Sequence, residues 1–230
     1  MLDFSDRETV VTGGTGALGS AVVGRLLEAG ATVHVPVYRA EELEEFPYRN
    51  HEAVEVHEGL DLSVEADVAR LFDATTSLYA SIHLAGGFAM GALASTDLGV
   101  WERLMRMNAT TCFLSCRGAV RAIGSRTGRI VNVAARPVLV PAPHMAAYAA
   151  SKAAVAALTL SLAEDLAGSS IWVNAVVPSI IDTKANRSAM PDADHARWPK
   201  PAEIAETIAF LASPQNAVTR GALVPVYGMS

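Results

Sequence analysis

Short runs of β-branched and other apolar residues alternate along the chain with longer stretches whose apolar residues recur every third or fourth position. The runs at 9–12, 32–37, 53–57, 81–85, 129–133, 172–177 and 223–227 predict strands. The stretches at 17–29, 63–78, 97–124, 145–167 and 201–212 predict helices. In the first helix Leu18, Val22, Leu26 and Leu27 make one stripe, and Gly30 supplies a C-terminal stop. Pro201 suits the first turn of the last helix. Strand and helix alternating over short connections predict a doubly wound α/β fold, a seven-stranded and mainly parallel sheet with helices on both faces. Ligands of such sheets bind at the carboxyl ends of the strands. The glycine-rich turn after the first strand, Gly86-Gly87, the segment after Val133 and Pro178-Ser179 should therefore line one edge.

Two segments fit the alternation less well. Residues 39–49 are rich in charge and predict a short irregular helix. Residues 182–200 carry Pro191, Pro199 and many polar residues, and a connection of that length in a compact domain predicts a lid over a binding site.

Composition narrows the classes. With 230 residues and all its motifs in one continuous pattern, the chain predicts a single domain over 1–230. A formal charge of −6 without a basic cluster argues against a nucleic-acid surface. Residues Met1 to Asp6 show no basic region followed by an apolar core, and no apolar run reaches spanning length without a charge or proline, so a cytoplasmic protein without membrane attachment is expected. Cys112 and Cys116, at helical i, i+4 spacing, read as two small core or interface side chains, and no metal is implied.

The chemistry lies in two places. In Thr12-Gly13-Gly14-Thr15-Gly16-Ala17-Leu18-Gly19 the glycines permit a tight turn and a close approach of phosphate oxygens. The following helix offers unpaired N–H groups to a pyrophosphate. A glycine-rich turn can also be a plain strand–helix connection, but its place after the first strand points to a dinucleotide. Tyr148 and Lys152 stand four residues apart, one turn along a helical face. An ammonium beside a phenol favours the phenolate and would equip the tyrosine for proton exchange. Asp61-Leu62 could meet an adenine amino group, or Asp61 could simply precede a helix. Ala85, Gly86 and Gly87 leave room for the adenosine-side ribose. At the end of the second strand stands Val37, not an acid, followed by Tyr38 and Arg39. That removes the usual argument for NAD, and Arg39 tips the expectation slightly to NADP.

Together these residues resemble the short-chain dehydrogenase/reductase family over nearly the whole chain. The matching elements are residues 12–19, Asp61, Ala85-Gly86, Asn108, Ile130-Val131-Asn132-Val133, Tyr148/Lys152, and Val173-Asn174-Ala175 through Pro178 and Thr183. The resemblance implies a Rossmann-type domain holding NADP or NAD and a small-molecule substrate. It implies that Tyr148 exchanges the proton, that Lys152 binds the nicotinamide ribose and depresses the tyrosine pKa, and that Asn108 holds a relay water. The cofactor contacts it implies are Gly13, Thr15, Gly16, Ala17, Leu18, Arg39, Asp61, Leu62, Ala85, Gly86, Gly87, Asn108, Tyr148, Lys152, Pro178, Ile181 and Thr183. It also implies a homodimer or homotetramer, paired through the alanine-rich helices at 97–124 and 145–167.

The departures shape the functional expectation. Ala17 replaces a family glycine, His83-Leu84 replaces Asn-Asn, and Ser179 replaces a glycine. Ala135 stands where the family carries its catalytic serine, with Ala134 beside it. Losing an oxyanion donor costs about a hundredfold or more in rate. An already activated acceptor, such as a quinonoid ring, would need only one proton donor. Dihydropteridine reductase also lacks the serine, and the chain resembles that branch in Ala85-Gly86-Gly87 and from Asp182-Thr183 through Asn186–Asp194 to Trp198. The alternatives are an ordinary carbonyl reductase in which Arg136 or His144 stands in for the serine, and a catalytically weak nucleotide sensor.

Overall fold

In the computed structural model, which describes residues 2–230, seven strands form one sheet. They are β1 (Glu8–Thr12), β2 (Thr32–Val37), β3 (Val54–Glu58), β4 (Leu78–His83), β5 (Gly128–Val133), β6 (Ile171–Pro178) and β7 (Leu223–Val226). Their order is β3-β2-β1-β4-β5-β6-β7, and every pairing is parallel. The order reverses between β1 and β4, which opens the crevice where such sheets receive ligands.

The helices are α1 (Ala17–Glu28), α2 (Glu65–Asp73), α3 (Leu98–Leu104), α4 (Thr111–Ile123), α5 (Ala146–Asp165), α6 (Lys184–Ala189) and α7 (Pro201–Ala212). On one face, Val22 and Leu26 of α1 and Ile204 and Ile208 of α7 pack on Val11, Val33, Val35 and Ile82. On the other, Leu71 and Phe72 of α2, Leu114 of α4 and Val155 of α5 cover Val10, Ile130 and Val173. Each such side chain taken fully from water contributes about 1.5–3 kcal/mol, so the two faces, more than any single bond, hold the strands in register. Helix α5 is long and apolar enough to cross a membrane by composition alone. Here its buried side, with Val155, Ala156 and Ala163, lies against β5 and β6.

Local signals explain most boundaries. After Ala29, Gly30 adopts φ +88°, its N–H meets the Leu27 carbonyl at 2.9 Å, and the Ala31 N–H meets that of Leu26 at 3.1 Å. That is a left-handed stop of the Schellman kind. At Gly19 a Cβ would lie 2.0 Å from the Gly13 carbonyl oxygen, so only glycine lets α1 start so close to the turn. Residues 39–49 hold one short 3-10 turn, Ala40–Leu43.

Two expectations need correction. The fourth strand lies at Leu78–His83, three residues before its expected start, and α2 ends at Asp73. The cause is Glu8: its carboxylate accepts from Thr76 N (2.8 Å), Ser77 N (3.0 Å) and the Thr76 hydroxyl, which stops the helix and turns the chain into β4. The expected helix at 97–124 is continuous only as α3 and α4 joined by a π-helical turn, Met105–Thr110. The wider i→i+5 turn makes space for Asn108 to point inward.

Candidate active site

The carboxyl edge of the sheet gathers the residues singled out by sequence. The turn after β1 is drawn tightly to the end of β4: Ala85 N–H donates to the Thr12 hydroxyl at 3.2 Å, and a Cβ on Gly13 (φ +66°) would meet Ala85 N at 2.8 Å. A Cβ on Gly16, by contrast, would touch nothing closer than 3.5 Å. Gly16 is the N-cap of α1 with no side-chain cap. Among the described residues the N–H groups of Ala17 and Leu18 have no acceptor, and Gly13, Gly14 and Gly16 beside them bring no Cβ. That cradle fits a pyrophosphate.

Below it, Asn108 fastens three segments. Its carbonyl accepts from Gly87 N at 2.9 Å, and its amide donates to Gly87 O at 3.0 Å and to the Ser151 hydroxyl at 2.9 Å. Ser151 in turn donates to the Tyr148 carbonyl at 2.7 Å. Lys152, 7% exposed, donates from Nζ to the Val133 carbonyl at 2.8 Å, and a Cβ on Gly86 would stand 3.4 Å from that nitrogen. Asn132 continues the tie deeper, donating to Thr159 on α5 at 2.9 Å and meeting His83 Nδ1 at 2.8 Å.

Tyr148 is half-buried, with its ring edge-on to Phe88, centroids 4.9 Å apart. Among the described residues its hydroxyl has no hydrogen-bond partner, so it remains free to meet a substrate atom. Burial pushes the phenol up to about 12. This departs from the expected lowering: the Lys152 ammonium turns one donor to Val133, and among the described residues no charge offsets the cost of burying a phenolate. Burial likewise lowers Lys152 to about 8, with Cys112 beneath it pulling the other way. Cys112 and Cys116 are both free and buried.

Other predicted residues take more ordinary places. Asp61 uses Oδ1 on Ser63, accepting from its N–H at 2.8 Å and its hydroxyl at 2.7 Å, and Leu62 is buried. Thr183 caps α6, accepting from Asn186 N at 3.2 Å. Asn186 donates to the carbonyl of Ile181 at 2.8 Å, and Pro178 ends β6. Arg39 points to solvent, its side chain 70% exposed, with Nε 3.8 Å from Glu42. Arg136 lies over the Tyr227 ring, and His144 is an exposed loop residue at φ +60°. Neither bonds to Tyr148 among the described residues. Ala134 and Ala135 are buried and bring no hydroxyl.

Sequence reasoning missed Glu42, Ser151 and Phe88. Glu42 accepts from the Thr15 hydroxyl at 3.2 Å and from Arg39 N at 3.2 Å, so a carboxylate flanks the glycine turn from outside β2. It lines a cavity of about 420 Å³ with Thr15, Gly16, Glu41, Glu44 and Glu45. Only the acidic run at 41–45 could have pointed there.

The sequence model of the short chain dehydrogenase family matches residues 7–194. The chain belongs to that family. Similar proteins include a 3beta-hydroxysteroid dehydrogenase of Eggerthella lenta, 31% identical over 98% of this chain and 94% of the other. A 2,3-dihydro-2,3-dihydroxybenzoate dehydrogenase of Escherichia coli is 33% identical over 92% of each. A solved short-chain type dehydrogenase/reductase from Mycobacterium ulcerans superposes with a TM-score of 0.91 at 25% identity, covering 99% of this chain and 90% of that one. As a short chain dehydrogenase the protein is an NAD(P)-dependent oxidoreductase of small molecules.

The buried lysine makes a measurable demand on stability. Its folded pKa, about 8, lies below the unfolded value of 10.5, so its protonation opposes folding. The opposition is complete below pH 8 and fades as pH rises toward 10.5; at neutral pH it amounts to about 3 kcal/mol. Above pH 10 the raised phenol acts the other way, because folding then hinders its ionisation. Lys152→Met should raise the melting midpoint at pH 7 by several degrees, at about 2–4 °C per kcal/mol. It should also flatten the climb of stability between pH 8 and 10. Calorimetric scans across that range check both, and an unaltered slope would mean the ammonium is compensated within the fold.

Proposed function

We propose that this short chain dehydrogenase reduces an activated, flat, conjugated acceptor, of which a quinonoid dihydropterin is the representative compound, with Tyr148 as its proton donor. One observation carries the reading: the free hydroxyl at the site belongs to a phenol held protonated at about 12, beside a wall of Ala134 and Ala135 that brings no second donor. At neutral pH such a phenol carries its proton in essentially every molecule, so it meets a substrate as a donor and not as a base, which suits the reductive direction. Bound reduced nicotinamide would supply the hydride. The chain supplies the rest: the turn at Gly13–Leu18 and the α1 N-terminus hold phosphates, Lys152 holds a ribose hydroxyl, and Asn108 fixes Gly87 and α5 in place. Phe88, 59% exposed and edge-on to Tyr148, gives a planar ring a surface to lie on. We assign residues 182–200, with Ile181 and Thr183 at their base, as the cover that keeps water from this pocket.

A second reading follows the names of the relatives, which are dehydrogenases of hydroxysteroids and other hydroxy compounds. In that case Ala135 should limit the rate. Tyr148→Phe should lower turnover of the conjugated acceptor by about 100-fold or more while cofactor affinity stays within a few-fold. Ala135→Ser should raise reduction of simple ketones at least tenfold and leave the conjugated acceptor nearly unaffected. Steady-state rates with both substrate types decide; fast wild-type turnover of simple alcohols or ketones sinks the activated-acceptor reading.

For the cofactor, Arg39 alone would favour NADP, but it faces Glu42, and the cavity beside the turn is lined by carboxylates. A 2′-phosphate placed there meets like charge, whereas ribose hydroxyls could donate to Glu42. We therefore place NADH above NADPH. Fluorescence titration should show tighter NADH binding, and Glu42→Gln should narrow the gap by about tenfold; tighter NADPH binding to the unaltered chain would reverse the assignment.

The exposed apolar side chains of Phe113 on α4 and Leu160 on α5 mark the face on which we place a second copy of the chain. Sedimentation should report a dimer or tetramer that Leu160→Glu dissociates, and a monomeric wild type would remove that face from consideration.

A further inference from the structure

Away from the cofactor edge, the outer two strands bring together an unexpected set of side chains. His34 on β2 and Glu55 on the edge strand β3 are cross-strand partners, and His57 lies two residues further along β3 on the same sheet face. His34 is 2% exposed, His57 is half-buried and the Glu55 side chain is 55% exposed, so the group reaches from the interior to solvent. His34 Nδ1 is 3.0 Å from His57 Nε2 and 3.5 Å from Glu55 Oε2. One ligand atom from each residue lies within 4.8 Å of the other two. Nitrogen ligands around a tetrahedral zinc stand about 3.3 Å apart, given Zn–N bonds of about 2.0–2.1 Å. The observed separations bracket that edge.

We propose that His34 Nδ1, His57 Nε2 and Glu55 form a binding site for one borderline divalent transition ion of the zinc class, with the fourth position open to solvent. Two imidazoles and a carboxylate select such an ion over magnesium or calcium, which prefer all-oxygen surroundings. The outer partner is already in place. The Nε2 of His34 is buried without a hydrogen-bond partner, and it faces Glu8 Oε2 at 3.8 Å. Glu8 itself is held by Thr76 and Ser77. A proton on Nε2 faces that carboxylate, and an approach of about 1 Å would turn the contact into a hydrogen bond, leaving the Nδ1 lone pair for the ion. This is the carboxylate–histidine–metal relation that orients metal-binding imidazoles. His57 needs the larger change: its ring, at 15° to that of His34, must turn so that Nε2 shares the ion instead of donating to Nδ1. The ion would tie the edge strand to β2 and leave the nicotinamide end untouched.

The test uses the full chain, stripped with a chelator and titrated with Zn²⁺ by calorimetry and with Co²⁺ by visible absorption. One equivalent should bind, raise the melting midpoint and give the bands of nitrogen and oxygen ligands. Glu55→Gln and His57→Gln, both at the surface, should each weaken binding at least tenfold and abolish the midpoint shift, with the far-ultraviolet circular dichroism unaltered. Glu8→Gln should weaken binding by about 10–100-fold while keeping the same bands. The second metal-type cluster, His83 with Cys112 and Cys116, is fully buried and supplies the control. Sulfur-to-cobalt bands that vanish in the Cys112→Ala/Cys116→Ala variant would overturn the proposal. So would binding that His57→Gln and Glu55→Gln leave intact, or no binding at all.

Discussion

The site depends on one buried amide. Asn108 is 1% exposed and clamps the Gly87 peptide by both its N–H and its carbonyl, while its remaining amide hydrogen goes to Ser151 on α5. Each of these bonds is worth about 0.5–1.5 kcal/mol net, but breaking the clamp would strand polar groups in the interior at about 1–3 kcal/mol each. That asymmetry makes the arrangement all-or-none. It fixes the segment after β4, the π-turn between α3 and α4, and the second turn of α5 as one unit. The glycine turn joins that unit through Thr12 and Ala85. The position of the phenol relative to any bound cofactor is therefore set by an asparagine well behind it.

Onto this frame the fold places two ionisable groups under strain. Lys152 keeps its ammonium in a buried place with a single carbonyl acceptor, and Tyr148 keeps a phenol where ionisation is costly. Neither arrangement helps the chain to fold. Both make sense as preparation for a ligand whose ribose hydroxyls and developing negative charge complete what the protein leaves unpaired. The two alanines beside them are what the proposed activated acceptor rests on, since a pocket with one donor suits a substrate that stabilises its own charge.

Much of the architecture was legible in the sequence because buried parallel strands and covering helices have distinct periodicities. Gly30, Pro201 and the turn at residues 12–19 announced boundaries that the structure places within a residue or two. The displaced fourth strand shows the limit: Leu78 reads as the end of a helix because the stop comes from Glu8, 68 and 69 positions before the Thr76 and Ser77 it binds. The π-turn at Asn108 was invisible for a similar reason, being created by a bond to Gly87. Tyr148 and Lys152 were recognisable by spacing, but the direction of the phenol's shift was not, because it depends on where the ammonium points. The His34, Glu55 and His57 group comes together only through strand pairing, which no local motif records.

The segment at 182–200 has a neck as well as a body. Asp182 N–H meets the Pro199 carbonyl at 2.9 Å, Arg187 grips the Asp182 carboxylate in two places, and Trp198 is sunk beside His195. Arg197 reaches the Met229 carbonyl at 2.7 Å. If this segment is the cover proposed above, a base closed by these bonds would make it move as one piece instead of unravelling residue by residue. The tail beyond β7 then becomes part of the hinge, because Arg197 is bonded to the Met229 carbonyl.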